Sequence, residues 1–299
     1  MPLLRDEAAK LSQDDMVRGI IEEFADKDDL FGILPFSPTA GKALVYNREK
    51  TLATGDWLDP NDEVKEGAST FDEVTTRLRI LIGDVDVDKF IDGTMSDVNS
   101  QKAIQIASKV KGMRTQFRDA LINGLQTNKQ FDGLNALVHV NQVINAGGHD
   151  MAFSMFDELT DAIRLGANCV MMRSEHIRAY KAMLRLMGGN TGGMIQLPNF
   201  DRPILAHDGV PIIANDFIQK VDGKADIFAF HLDEHSGLHG LFASQHPAGF
   251  SIEDIGTVQN KDATRTRIKM YVGMALKSTH ALAKLSGVKL PAAAAPVGG

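Results

Sequence analysis

The stretch from Asn99 to Val138 constrains the fold most, because a long helical pattern runs straight into a short turn of defined chemistry. Asn99 or Ser100 can act as N-cap, its side-chain oxygen accepting a first-turn N–H, and no proline follows before Pro198. Ile106, Val110, Met113, Phe117, Leu121 and Gly124 recur at intervals of three and four and share one stripe, with Lys111, Arg114 and Arg118 on the other side. The spacing predicts an amphipathic helix over 100–125, roughly 39 Å long at 1.5 Å per residue. Behind it, the run Asn128 to Leu134 predicts a tight turn in which Gly133 supplies permissive backbone and Phe131 and Leu134 supply apolar anchors.

A helix of that length needs a body to lie against. With 299 residues, 43% hydrophobic and 24% charged, the chain can bury a sizeable core in one large or two modest domains. Its single cysteine, Cys169, allows no internal disulfide and fits a reducing compartment. The start, Met1 to Lys10, is charged and no run of 18 apolar residues occurs, so no membrane role is expected. A net charge of −7 opposes a broad phosphate-gripping surface. The charge is uneven: residues 1–35 carry nine acids against four bases, a net of −5, and residues 100–126 carry five bases against Asp119, a net of +4. Solvated helix faces account for this more simply than a partner-binding patch does.

The N-terminal stretch predicts two short helices, the second opening at Ser12 with a stripe from Met16 to Phe24. Leu30, Phe31, Ile33, Leu34 and Phe36 then form an apolar run too broken by Gly32, Pro35 and Pro38 to be a regular element. Strands are expected over 42–48 and from about Ser69 through Leu78, Ile80 and Ile82, joined by the polar tip 55–62 around Trp57 and Leu58. Further on, the pattern predicts helices opened by Ser154 and Ser174, a buried strand at 168–172 and a hairpin of 203–206 against 210–213. Residues 227–232 and 238–244 predict another strand pair, and Thr264 to Leu276 alternates as the clearest strand of all, with Arg265, Arg267 and Lys269 on its other face.

The candidate chemical sites are weak. Asp84, Asp86 and Asp88 suggest calcium, but an EF-hand loop beginning at Asp84 requires glycine where Lys89 stands and glutamate where Met95 stands, leaving a solvated acidic strand face as the expectation. His231, His235 and His239 would share one face of a helix and invite zinc, yet Asp233 to Gly237 is turn chemistry between strands. The glycine-rich loop 188–193 follows a helix and lacks the ending of a phosphate loop. Cys169 lies in an apolar strand where a thiol is inert, and the methionines read as core filler. No catalytic, cofactor-binding or metal residue is expected.

The long helix ending in Ile122-Asn123-Gly124, followed by Phe131-Asp132-Gly133-Leu134 and preceded by Leu34-Pro35-Phe36, resembles the major capsid proteins of tailed bacteriophages, which have the Hong Kong 97-type shell fold. The resemblance covers about residues 28 to 290 and implies an α+β fold: an N-terminal arm at 1–37, an extended E-loop hairpin at 38–80, a P-domain at 81–150 on a spine helix at 100–125, an A-domain at 151–225, a return to the P-domain and A-domain sheet at 226–290, and a flexible tail at 291–299. It also implies inter-subunit contacts through Leu30, Phe31, Leu34, Phe36, Trp57 and Leu58, and a spine core of Ile106, Val110, Met113, Phe117 and Leu121. The function implied is structural: self-assembly through hexameric and pentameric capsomers into the icosahedral head of a virion, built in the host bacterial cytoplasm around double-stranded DNA held without sequence preference. Because Leu34-Pro35-Phe36 lies so near Met1, a separate scaffolding protein is expected, with a portal and a possible decoration protein. An encapsulin-like enzyme compartment is the alternative, and a zinc-dependent hydrolase a distant one.

Overall fold

The computed structural model of the chain describes residues 30–51, 57, 63, 70–90, 94, 101–186, 194–195, 203–244 and 250–291. The expected helix at 12–24, the Asn99 or Ser100 cap, Leu58 and the rest of the 55–62 tip apart from Trp57, the 188–193 loop and the tail after Pro291 lie outside the described residues, as does the side chain of Phe31.

After a helical turn at Leu30–Ile33 the chain forms β1 (Phe36–Thr39), β2 (Ala43–Thr51), β3 (Thr70–Arg77) and β4 (Arg79–Asp88), then the long helix α1 (Gln101–Asn123) and a short strand β5 (Val143–Asn145). Next come α2 (Phe153–Asp161), β6 (Cys169–Met172), α3 (Ser174–Leu186), β7 (Met194–Ile195), β8 (Ile204–His207) and β9 (Val210–Ala214). The rest is strand: β10 (Lys220–Val221), β11 (Lys224–Phe230), β12 (Leu238–Ala243), β13 (Phe250–Thr257), β14 (Ala263–Leu276) and β15 (Leu282–Lys289).

β14 organises the first sheet. Thr266, Ile268, Met270, Val272, Met274 and Leu276 all turn to the buried side, as a strand period of two requires. Along one edge it pairs antiparallel with β4, from Ala263↔Asp88 to Val272↔Arg79; along the other it pairs first with β13 and then with β12, to which β1 adds in parallel. α1 lies across the buried face of this sheet. A Cβ on Gly83 of β4 would come within 2.7 Å of Lys109 Cε and 2.8 Å of Met113 Sδ, so side chains of the helix lie directly on this glycine. Ile106, Val110, Met113, Phe117 and Leu121 are all buried in the resulting core.

The turn after α1 works differently from its sequence-based reading. The left-handed residue is Lys129, at φ 61°, whereas Gly133 has an ordinary φ of −81°. Gly133 is required by proximity instead: a Cβ there would sit 2.7 Å from Ala120 O, Gly124 N and Ile122 O, and one on Gly124 would overlap Ala120 O and Phe131 O. The two glycines let the turn fold back on the helix end, where Gly133 N donates to Gly124 O at 2.9 Å and Phe131 packs 5.8 Å from Phe117, centre to centre.

The second sheet has the order β5-β15-β11-β6-β9-β8-β7, with β10 on β11. Its central strands β6, β9 and β11 are buried on both faces. Cys169, Met171, Phe228 and Phe230 join the core under α1, while Val170, Met172, Ile227 and Ala229 join a second core with Phe156 and Leu159 of α2 and Tyr180 of α3. α2 begins at Phe153 without a side-chain cap. α3 begins at Ser174, whose N–H and hydroxyl donate to the Asp216 carboxylate at 2.9 and 2.8 Å. β8 and β9 are joined by the two-residue turn Asp208-Gly209, both at positive φ.

Two strand expectations need correction. The run from Ser69 through Ile82 is two strands parted at Leu78, because β3 pairs with β2 while β4 takes the edge of β14. Residues 227–232 and 238–244 are not a hairpin: β11 belongs to the second sheet and β12 to the first. The loop between them is folded on itself by Asp233, which accepts from Ser236 N at 2.8 Å and Ser236 Oγ at 2.6 Å, so it carries the chain across instead of reversing it.

Candidate functional site

β2 and β3 pair only with each other, from Ala43↔Arg77 to Thr51↔Thr70, forming a ribbon that leaves the body. A two-stranded ribbon is marginal alone, and this one is pinned at its base. Tyr46 Oη donates to Leu276 O at 2.7 Å, Arg48 donates through Nη2 to Leu276 O at 2.5 Å and through Nε to Lys277 O at 3.1 Å, and Lys277 Nζ lies 4.3 Å above the Tyr46 ring. On its other face the ribbon exposes Val45 (55%) and Phe71 (59%), and in the connection between its strands Trp57 is fully exposed. The ribbon thus leaves large apolar side chains in water.

Of the contact residues expected from sequence, only Trp57 is described on such a surface. Leu30 and Leu34 are buried in this chain's own core, and the Phe36 ring sits so close on Gly240 that any Cβ there would collide with it. β1 is parallel to β12 and brings this segment in as an edge strand, so Leu30 and Leu34 serve their own subunit's core, while Phe36 is half-buried.

The face of the first sheet opposite α1 carries a charge ladder. Arg267 holds Asp84 through two hydrogen bonds of 2.7 and 2.8 Å, Arg265 holds Asp86 through 2.6 and 2.7 Å, and Lys269 reaches Glu253 at 2.5 Å. The guanidinium bonds keep both aspartate pKa values below the usual carboxylate range and raise those of both arginines. Of the three acids expected to be solvated, Asp84 and Asp86 are therefore paired, their oxygens committed to arginine instead of a metal ion, and Asp88 is exposed and accepts from Phe90 N at 2.8 Å. Farther along the same face Ile80 and Ile82 are exposed.

The three histidines that suggested zinc are not brought together. His231 Nδ1 bonds Gly166 O at 2.7 Å, His235 is exposed, and His239 is buried, where desolvation lowers its pKa. Burial pushes the Cys169 thiol pKa far above its usual value. Among the described residues, the group compact enough to hold a metal is Asp157, His207 and Asp208. There the buried His207 already bonds Asp157 Oδ1 through Nε2 at 2.9 Å and Tyr180 Oη through Nδ1 at 2.8 Å. Tyr180, its pKa pushed up to about 12 by burial first and then by the charges of Asp208 and Asp157, stays protonated at neutral pH. This network was missed because its members lie 27 and 50 residues apart and no local pattern links them. His176 was missed likewise: fully buried on α3, its pKa is lowered by desolvation.

No protein-family model matches the sequence, and no curated protein does. Solved structures do match. A chain of the holo-SrpI encapsulin complex from Synechococcus elongatus superposes with a TM-score of 0.71 at 20% identity, over 87% of each chain. The capsid of a native GTA particle gives 0.67 at 15% identity, over 89% of this chain and 90% of that one. The chain has the Hong Kong 97-type shell fold. A chain from Mycobacterium phage Adephagia extends the likeness to 97% of this chain and 100% of that one, with a TM-score of 0.61 at 13% identity. The shell fold is thus shared end to end while few residues are, so the likeness lies in backbone architecture. Among the described residues no helix is long and apolar enough to cross a membrane.

Proposed function

We propose that this chain is a shell subunit that assembles with copies of itself, through hexameric and pentameric capsomers, into the icosahedral head of a tailed phage enclosing double-stranded DNA. The observation that carries this reading is the end-to-end match to shell chains, which leaves little of the polypeptide over for another task. In this reading residues 1–37 are the arm, 38–80 the E-loop, 81–150 the P-domain, 151–225 the A-domain and 226–290 the return strands. The work is geometric, the repetition of one set of heterologous contacts until a container closes, and it calls on no catalytic group. Trp57 and Leu58 are the proposed contacts to a neighbouring subunit. DNA would be met by charge alone: Lys111 is exposed, whereas Arg114 is half-buried and the Arg118 guanidinium lies 5.8 Å above the Phe217 ring, a sparse and salt-sensitive set. Electron microscopy of the expressed chain tests the reading. Closed shells, tubes or capsomers support it, and a protein that stays monomeric under every assembly condition overturns it.

The likeness to an encapsulin supports a second reading, a compartment for protein cargo. Particles purified from the native source separate the two. A high ultraviolet 260/280 ratio indicates packaged DNA, and a protein-like ratio indicates cargo enzymes.

A further inference from the structure

The chain passes between its two sheets through residues 231–237, from β11 to β12, and again through residues 277–281, from β14 to β15. Both crossings meet the base of the ribbon. Between them opens a cleft of about 560 Å³ whose walls carry Arg48 from the ribbon, Arg164 from the loop after α2, His235 from the first crossing, and Lys277 and His280 from the second. We propose that this cleft is a binding site for a phosphate group.

Three basic side chains, Arg48, Arg164 and Lys277, converge here from three separate parts of the chain. Arg48 is held by the carbonyls of Leu276 and Lys277, which fix the guanidinium in place without neutralising it. Lys277 is steadied over the Tyr46 ring, and desolvation lowers its pKa with no opposing charge to relieve it. Among the described residues no carboxylate is ion-paired with Arg48, Arg164 or Lys277, whereas Arg265, Arg267, Lys269, Lys284 and Lys289 each have one. The two acids on the first crossing keep their charge but are not among the side chains lining the cleft. Asp233 is committed to Ser236, and Glu234 is exposed on the loop.

The donors favour phosphate over a planar carboxylate. Guanidinium and ammonium groups approach from different walls, and Thr279 adds a hydroxyl. His280 bonds Gln142 through Nδ1 at 2.8 Å, leaving Nε2 as its remaining polar atom. A tetrahedral anion with three or more acceptor oxygens can answer such a spread of donors at once. The phosphate can belong to a free polyphosphate or nucleotide, or to a nucleic-acid backbone, since the recognising chemistry is the same. Bound there, it would tie the ribbon to both crossings and fix the angle at which the ribbon leaves the body. The inference does not rest on the shell reading.

Titrating the full chain under non-assembling conditions with tripolyphosphate, against sodium chloride at matched ionic strength, tests the site by thermal unfolding and calorimetry. The expected result is a saturable rise in Tm that chloride does not reproduce. Arg164→Gln and Lys277→Gln should each weaken binding roughly tenfold, the loss expected for a charged hydrogen bond, and Lys111→Gln should leave it unchanged. Arg164 is exposed, so its variant decides the matter even if Lys277→Gln folds poorly. A short mixed-sequence DNA duplex that competes with tripolyphosphate, and weakens in the same variants, identifies nucleic acid as the source; binding of tripolyphosphate alone identifies free phosphates. No saturable shift, or one that neither variant alters, overturns the proposal. So does displacement by a peptide of residues 1–29 at lower concentration than tripolyphosphate, which would make the cleft a carboxylate site.

Discussion

The body and the ribbon of this chain solve opposite problems with the same strand chemistry. In the body, β14 has partners along both edges, α1 lies across the sheet, and the turn after it folds back so closely that Gly124 and Gly133 have no room for a side chain. In the ribbon, each strand has a single partner, Val45 and Phe71 face outward, and the anchoring bonds to the body described above gather at Tyr46 and Arg48. The body is finished within one chain. The ribbon leaves large apolar side chains in water, and in the proposed reading that asymmetry separates residues that fold the subunit from residues that join it to others.

The largest effect should come from the body. Phe117→Ala removes a buried ring packed on Phe131 and leaves a cavity, costing about 3–5 kcal/mol, a large share of a domain's net stability; thermal unfolding or loss of soluble yield measures it. Gly133→Ala should cost about 1–3 kcal/mol by overpacking, because the neighbours of the new methyl are backbone atoms of the helix end that cannot rotate away. Unchanged stability in Gly133→Ala would show that the helix end can yield to the methyl; Gly209→Ala tests conformation instead, because Gly209 has open space around it but stands at φ 83°.

Acid should weaken the body in two stages. His176 and His239 are buried with pKa values below 6.5, so the unfolded chain takes up protons first and stability falls as pH drops below 6.5, until the lowered folded values are reached. Asp84 and Asp86 have pKa values below 3.8. Their contribution is complete above 3.8 and is lost as pH falls from there through the depressed folded values. Denaturant midpoints across pH follow both stages, and His176→Gln should flatten the first. The smallest effect on the subunit should be that of Trp57→Ala, whose unfolding temperature should match the parent while particle yield by sedimentation drops, as for a buried tryptophan at an interface. An equal fall in unfolding temperature for Trp57→Ala and Phe117→Ala would erase the distinction between ribbon and body.

What the sequence revealed follows the range of its signals. The α1 stripe and the alternation of β14 repeat within a few residues, so their buried faces could be read directly. The Asp84–Arg267 and Asp86–Arg265 pairs join positions 183 and 179 apart, and only the register of β4 on β14 brings them together. The same limit hid the Tyr180–His207–Asp157 network. The false hairpin at 227–244 shows the converse. Two strand patterns around a turn look identical whether the chain reverses within one sheet or crosses to another, because the turn's local chemistry at Asp233 is the same in both cases. The run from Leu30 to Phe36 reads as too broken to be regular, yet it forms a helical turn and opens the edge strand β1, and apolar character alone could not say whose core it would enter.

The chain has one tryptophan, and it stands in the connection between the ribbon strands, so its fluorescence separates the two regions without mutation. Acrylamide quenching of Trp57 should be that of a water-exposed indole in the dissociated subunit and should be strongly reduced, with a blue-shifted emission, in assembled particles. Equal quenching and an unchanged emission maximum in subunits and particles would contradict the claim that the ribbon is completed by a neighbouring copy.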